Sequence, residues 1–504
     1  MNTMLKGLKE NTNYTFTTNG ALTHKSTMNN CLDFFAMGGA MRNRSDNDIL
    51  NLFYKAFSED ELIALKLLFY FRDIRGGQGE RRLFRTILKS LANKHPEVVK
   101  RNIAHIPEFG RWDDLYALVD TKCEKDAFDL MKKQFILDIQ CKTPSLLAKW
   151  LKSENTSSVE SRRLGALTRQ YFGLTSKKYR RGLSELRARI NVLERLMSAN
   201  EWDKIEFDKI PSKAGLIYRN AFARRDIISK KYEDFIISEA STVNASTLYP
   251  YEIVEKVVDN IGWRDDEFEG SDVEREVFNK YWDNLKDYFN GKDFNGIAVV
   301  DTSGSMNGTP INVAISLGLY MAERCGGPFS NHYISFSSRP QLIETYGVDF
   351  VDKVVNIYKT NLIENTNIEA TFDLILNTAL STKATQNDLP QNIFVISDME
   401  FDSATRPNWN IEDEYEFDRI TTENVDTLLE SISKKFEAHG YKIPHLIFWN
   451  VNSMKNNIPI INPYAKISYV SGFSPSIFEC VISGKTGYDL MLEVVNKERY
   501  SIIK

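Results

Sequence analysis

Five oxygen-bearing side chains stand out for where they fall. The segment Asp301-Thr302-Ser303-Gly304-Ser305 follows the short apolar run Ile297-Ala298-Val299-Val300. Thr366 precedes an apolar-periodic stretch, and Asp398 follows a second apolar run, Ile393-Phe394-Val395-Ile396. Hydroxyls and carboxylates gathered at strand ends suit a hard divalent cation such as Mg²⁺ or Mn²⁺, which takes oxygen ligands in near-octahedral geometry. Asp301 and Asp398 would supply charge and orient water. Ser303, Ser305 and Thr366 would bind through neutral hydroxyls, leaving the ion electrophilic. Asp and Ser also populate ordinary turns, so the argument rests on the order and context of the positions, not on the residue types. Glu400 and Asp402, just beyond Asp398, could support the metal ligands from behind, but read rather as residues of a solvated loop.

Other groups carry less. Gly484-Lys485-Thr486 imitates the end of a phosphate loop, but Glu479 stands where the upstream glycine is required. The six histidines show no paired-ligand spacing, and no Ser/His/Asp or Cys/His set is discernible, so no enzyme activity is expected. The five cysteines are odd in number and form no C-x-x-C pair, against both a disulfide framework and a zinc site. A reducing, cytoplasmic setting is expected from this. Residues 1–10 lack the apolar core of a signal peptide. No apolar run approaches the ~20 residues of a membrane span, so no membrane association is expected.

A second chemistry lies between Ser161 and Ala240, where 18 Lys and Arg face 10 Asp and Glu. The whole 504-residue chain carries a net charge of -4, which hides this asymmetry. Arg162, Arg163, Arg169, Lys177, Lys178, Arg180, Arg181 and Arg187 form one cluster, and Lys213, Arg219, Arg224 and Arg225 another. Tyr171, Tyr179, Tyr218 and Phe222 are interleaved. Clustered cations bind phosphates by counterion release, and aromatics stack unpaired bases. Read alone, the pattern fits solvated helix faces equally well. The turn Gly76-Gly77-Gln78-Gly79, followed by Arg81 and Arg82, is a second candidate anion site, with free N–H groups at a helix start and two added charges, but it reads rather as a plain glycine-capped turn between helices.

Two kinds of element must position these residues. Up to about Ser241 the pattern is helix after helix. Ser58 and Glu61 suggest a capping box, and Pro96 a first-turn proline. Leu183, Leu186, Ile190 and Leu193 mark one amphipathic face. Short helices with brief turns predict stacked hairpins, a HEAT-like α-helical repeat. An acidic stretch from Asp265 to Glu276 reads as a solvated face or linker. After Phe294, apolar strands alternate with helices, which predicts an α/β, doubly wound parallel sheet. Such sheets bind ligands beyond the carboxyl ends of their strands. The expected domains are 1–290 and 291–504.

The D-x-S-x-S segment with Thr366 and Asp398 resembles the metal-ion-dependent adhesion site of von Willebrand factor A domains. A helical region of this size before such a domain resembles the Ro autoantigen family, built on the TROVE module, and most closely a Ro-like branch of bacteria and their phages. The resemblance is carried by Asn19-Gly20-Ala21, Leu32-Asp33-Phe34-Phe35, Phe71-Arg72-Asp73-Ile74-Arg75-Gly76-Gly77, Gly110-Arg111-Trp112-Asp113-Asp114-Leu115, Ile396-Ser397-Asp398-Met399-Glu400 and Ser471-Gly472-Phe473. Asn365 and Asn367 depart from the glycine and aspartate typical of Ro proteins. The resemblance implies a helical ring bridged by the A domain, with structured noncoding RNA on its basic outer surface and ends of misfolded RNA in its hole. It implies a monomeric ribonucleoprotein component, and an acidic group of a partner protein at the metal. The alternative is a protein-interaction scaffold that uses the metal and no RNA.

Overall fold

The computed structural model describes residues 13–262, 266–336, 339–360, 367–401, 428–459 and 466–504. Helices fill the chain up to Asp283, and a six-stranded sheet flanked by helices follows.

The helical region forms because its helices are capped locally and buried on one or more faces. Ser45, Ser158, Thr175 and Ser271 each accept a hydrogen bond from a first-turn N–H of the helix they open. Asp60 does the same for helix Glu61–Arg72, from Ile63 N at 2.8 Å. Ser58 lies inside the preceding helix, Asp46–Glu59, so the expected capping box starts two residues too early. The Glu61–Arg72 helix is apolar almost all round because it is buried almost all round, from Leu65 to Arg72 except Lys66. The expected Leu183–Leu193 face is broken. Helix Ser176–Arg189 ends there, Asn191 turns left-handed (φ 48°), and Leu193 opens a new helix.

Two short strands, β1 (Tyr14–Phe16) and β2 (Leu22–His24), form an antiparallel hairpin before the first of these helices. The large sheet comprises β3 (Gly296–Asp301), β4 (His332–Phe336), β5 (Leu342–Glu344), β6 (Asn392–Ser397), β7 (His445–Asn450) and β8 (Ile467–Ser471). Its order is β5-β4-β3-β6-β7-β8, parallel except for the β5 edge. Strands β3, β7 and β8 are buried at every residue, as expected where helices cover both faces. The strand order reverses between β3 and β6, which makes the crevice at their carboxyl ends the topological switch point.

Both ends of the helical region pack on this sheet domain. At one end, helix Asn30–Gly38 covers the β8 edge. Gly39 N donates to Ser471 Oγ at 2.9 Å, and Ser471 Oγ donates to the Phe35 carbonyl at 2.8 Å. At the other end, Trp282 stacks on Phe350 with ring centroids 4.2 Å apart and donates to Glu323 at 2.6 Å. Arg275 pairs with Asp349 at 2.9 Å. The last residues return to the helices. Buried Asp73 accepts from Arg499 Nη2 at 2.9 Å and from the Tyr500 hydroxyl at 3.1 Å.

The β8 seam gives a direct test. A Cβ on Gly39 would lie 2.4 Å from the Ser471 carbonyl oxygen, so backbone would have to move. Gly39→Ala is expected to cost about 1–3 kcal/mol by overpacking, read as a lowered midpoint in chemical denaturation. An unchanged midpoint would mean that the helix does not press on β8.

Candidate metal centre and basic cavity

Four of the five predicted metal residues fall within the described part of the chain, and these four converge. Val300 pairs with Ile396 in the parallel β3–β6 ladder, which sets Asp301 beside Ser397 at the switch point. Ser397 Oγ donates to Asp301 Oδ2 at 2.6 Å, and the Ser303 N–H donates to Asp301 Oδ1 at 2.9 Å. Ser303 Oγ and Ser305 Oγ lie 3.1 Å apart. Asp398 Oδ1 accepts from Glu400 N at 3.0 Å, while its Oδ2 is buried with no hydrogen-bond partner. Thr366 lies outside the described residues, as does Asp402.

Two carboxylates are buried close together at this point. Asp301 and Asp398 are 0 % and 1 % exposed. Burial, and then the charge of Asp301, push the Asp398 carboxyl up to about 7, against the Ser305 hydroxyl and the Glu400 N–H, which favour its ionised form. Among the described residues no three His, Cys, Asp or Glu side chains form a metal-binding group. A cation here would therefore rely on two carboxylates with serine hydroxyls. The orphaned buried Asp398 Oδ2, beside a second carboxylate and those hydroxyls, fits that donor set.

Glu400 corrects the expectation of a solvated loop, being only 2 % exposed. Asn457 Nδ2 donates to its Oε1 at 2.7 Å, and the Thr18 N–H donates to its Oε2. Asn19 Nδ2 donates to the Glu400 carbonyl at 2.6 Å, and Thr17 Oγ1 to the Phe401 carbonyl at 2.7 Å. The hairpin turn thus grips the loop that carries Asp398. Within that loop Met399 is left-handed (φ 66°), its N–H held by Ser397 Oγ at 3.0 Å. Sequence reading missed Ser397 and this grip. Ser397 stands next to Asp398 in sequence, but its bond to Asp301 exists only across paired strands.

The second feature is an open cavity of about 2140 Å³ lined by the helical region. Its lining residues run from Arg42 to Glu252, and none comes from the sheet domain. Thirteen Lys and Arg line it against five Glu, so the space is strongly positive. Residues near the start and end of the helical region meet beside it. Arg42 Nη1 lies 3.4 Å from the Tyr251 hydroxyl, and Gly79 (φ 63°) packs under Tyr249.

The predicted cations divide by their partners. Arg180, Arg187 and Lys213 line the cavity. Arg187 donates to the carbonyls of Ala148 and Leu151 and to Ser153 Oγ, and burial holds its guanidinium below the usual value. Lys213 pairs with Glu252. Arg169 and Arg219 are engaged by Glu154 and Glu274 at 2.7 and 2.8 Å. Arg163 pairs with Glu160 at 2.9 Å, and Arg162 ties down the carbonyls of Thr156 and Ser157. Arg225 lies over Trp202. Lys177, Lys178, Arg181 and Arg224 are exposed. The sequence reading did not include Arg72, Arg75, Arg81 or Arg111 among the RNA-binding residues, although all four line the cavity. Their signal was the glycine-arginine turns at Gly76 and Gly110.

The model of one family, described as a domain of unknown function (DUF2828), matches residues 17–164 and 145–291. The chain belongs to the DUF2828 family. A second model, also a domain of unknown function (DUF7788), matches residues 295–500, the sheet domain of this DUF2828 protein. An uncharacterized protein of Acanthamoeba polyphaga mimivirus is 28% identical over 516 residues, covering 94% of this chain and 85% of its own length. All five cysteines are free. Among the described residues no helix is long and apolar enough to cross a membrane.

Proposed function

We propose that this chain is a Ro-like RNA-binding protein. A closed, HEAT-like helical ring takes single-stranded RNA into its basic cavity and structured noncoding RNA onto its outer cations. The carrying observation is the cavity itself, in which thirteen cations surround five carboxylates. Such a surface gains its affinity from counterions released by phosphates. Ring closure is supported by the contacts of Arg42 with Tyr251 and Gly79 with Tyr249.

The sheet domain is read as a von Willebrand A-like domain. Asp301, Ser303, Ser305 and Asp398 would hold Mg²⁺ or Mn²⁺, with Thr366 added by resemblance. When bound, the cation supplies an open coordination position for an anionic oxygen. Ser397 fixes the Asp301 carboxylate, and the hairpin fixes the Asp398 loop through Glu400. Because no residue of this domain lines the cavity, that oxygen would come from an acidic group on a partner protein and not from RNA held in the cavity. A scaffold without RNA is the second reading, favoured by the orphaned Asp398 Oδ2.

Purification at low salt, with and without ribonuclease, separates the two. The RNA reading expects nucleic acid to co-purify, to be lost at high salt, and to be identifiable by sequencing. Protein that emerges free of RNA, and that retains no single-stranded or structured RNA on a filter at low salt, would leave only the scaffold.

A further inference from the structure

We propose that Arg81 and Arg111 form a clamp on one cavity wall for the terminal phosphate monoester of a single-stranded RNA, with Trp150 as the positioning residue. The inference rests on the RNA reading above and adds a distinction between strand ends.

The argument is a comparison of neighbouring arginines. Buried Arg72 and half-buried Arg85 are taken up by two carboxylates: Arg72 by Asp114 at 2.7 Å, Arg85 by Asp113 at 2.9 Å and Asp114 at 2.7 Å. Both acids are buried, so these two arginines are held by carboxylates inside the protein. Arg81 and Arg111 lie on the same wall, and among the described residues their guanidiniums make no hydrogen bond and no ion pair. Arg111 stands with its guanidinium 4.6 Å from the centre of the Trp150 ring. A ring face orients a guanidinium without occupying its N–H donors. Burial and the neighbouring cations Arg72 and Arg81 lower the pKa of Arg111, against the carboxylates of Asp113 and Asp114, which raise it.

The charge selects the ligand. An internal phosphodiester brings one negative charge. A terminal monoester brings about 1.5–2 at neutral pH, with three acceptor oxygens. Two uncommitted guanidiniums match the monoester, and planar guanidinium forks suit its geometry. Glu80, at the N-terminus of helix Arg81–Lys94, makes no capping hydrogen bond and turns its carboxylate to Arg42 at 2.8 Å. The first turn of that helix therefore has no side-chain cap.

The test is fluorescence anisotropy on the full chain with one short single strand in three forms: 5′-phosphate, 3′-phosphate and hydroxyl at both ends. At least one phosphorylated form should bind on the order of tenfold tighter than the hydroxyl form, and the two arms identify which end enters. Arg111→Ala and Arg81→Ala should each erase the preference, lowering the affinity of the phosphorylated strand until it equals that of the hydroxyl strand, which itself weakens by the loss of one cavity cation. Trp150→Leu should weaken the preference in part. Arg81 is exposed, so its variant tests the clamp even if Arg111→Ala folds poorly. Equal binding of all three strands, or a preference that survives both alanine variants, overturns the clamp and leaves the RNA reading standing. Binding of none of them overturns both.

Discussion

Reversing Arg180 and Arg181 to glutamate together is expected to weaken single-stranded RNA binding by about two orders of magnitude at low salt, roughly tenfold per reversed charge. Both side chains are exposed on helix Ser176–Arg189, and neither is paired with a carboxylate. The fold should therefore tolerate the change within ~0.5 kcal/mol. The salt dependence is the sharper measurement. For single strands each lost phosphate contact lowers the slope of log K against log salt by about 0.7, so two lost contacts lower it by about 1.4. The single variants separate inside from outside, because Arg180 lines the cavity and Arg181 does not. A strand that runs from the cavity onto the neighbouring surface should respond to both single variants, and structured RNA on the outer surface to Arg181→Glu alone. An unchanged slope in the double variant would sink the reading. Arg219→Ala is the contrast. It leaves Glu274 without its partner, so it should lower stability more than binding.

The second large effect is expected at the switch point. Saturating Mn²⁺ or Mg²⁺ should raise the thermal midpoint of the intact protein, since a ligand at a hundredfold over its Kd adds about 2.7 kcal/mol. Asp398→Asn should abolish that rise. In chelator, the same variant should be no less stable than the parent, because it removes the repulsion between two buried carboxylates while keeping an oxygen for the Glu400 N–H. A deficit that appears only with metal present is what a purely structural aspartate would not give. A variant that is destabilised equally in chelator and in Mn²⁺ would show that Asp398 serves packing and not a cation.

Much of the candidate metal centre was legible in the residues. Asp301 and Asp398 each end an apolar run, and in a parallel sheet the ends of adjacent strands share one edge. The helical half was legible from its caps and apolar spacing, with errors where local chemistry competed. Asp60 took the cap from Ser58, and the left-handed Asn191 divided a continuous apolar face. Glu400 was misread because its buried partners, Thr18 and Asn457, are distant in the chain.

The sequence by itself determined the five parallel strands, many of the helices before them and which oxygens lie at strand ends, because capping, periodicity and strand termination are set within a few residues, whereas the β1–β2 hairpin and β5 were not read from it. Only the tertiary structure decided which cations remain available. Arg219 meets Glu274 across 55 residues, and Asp73 meets Arg499 across 426. A charge is neutralised by whatever the fold brings within a few ångströms, which no local pattern records. The same holds for the cavity, whose positive wall is assembled from turns far apart in the chain.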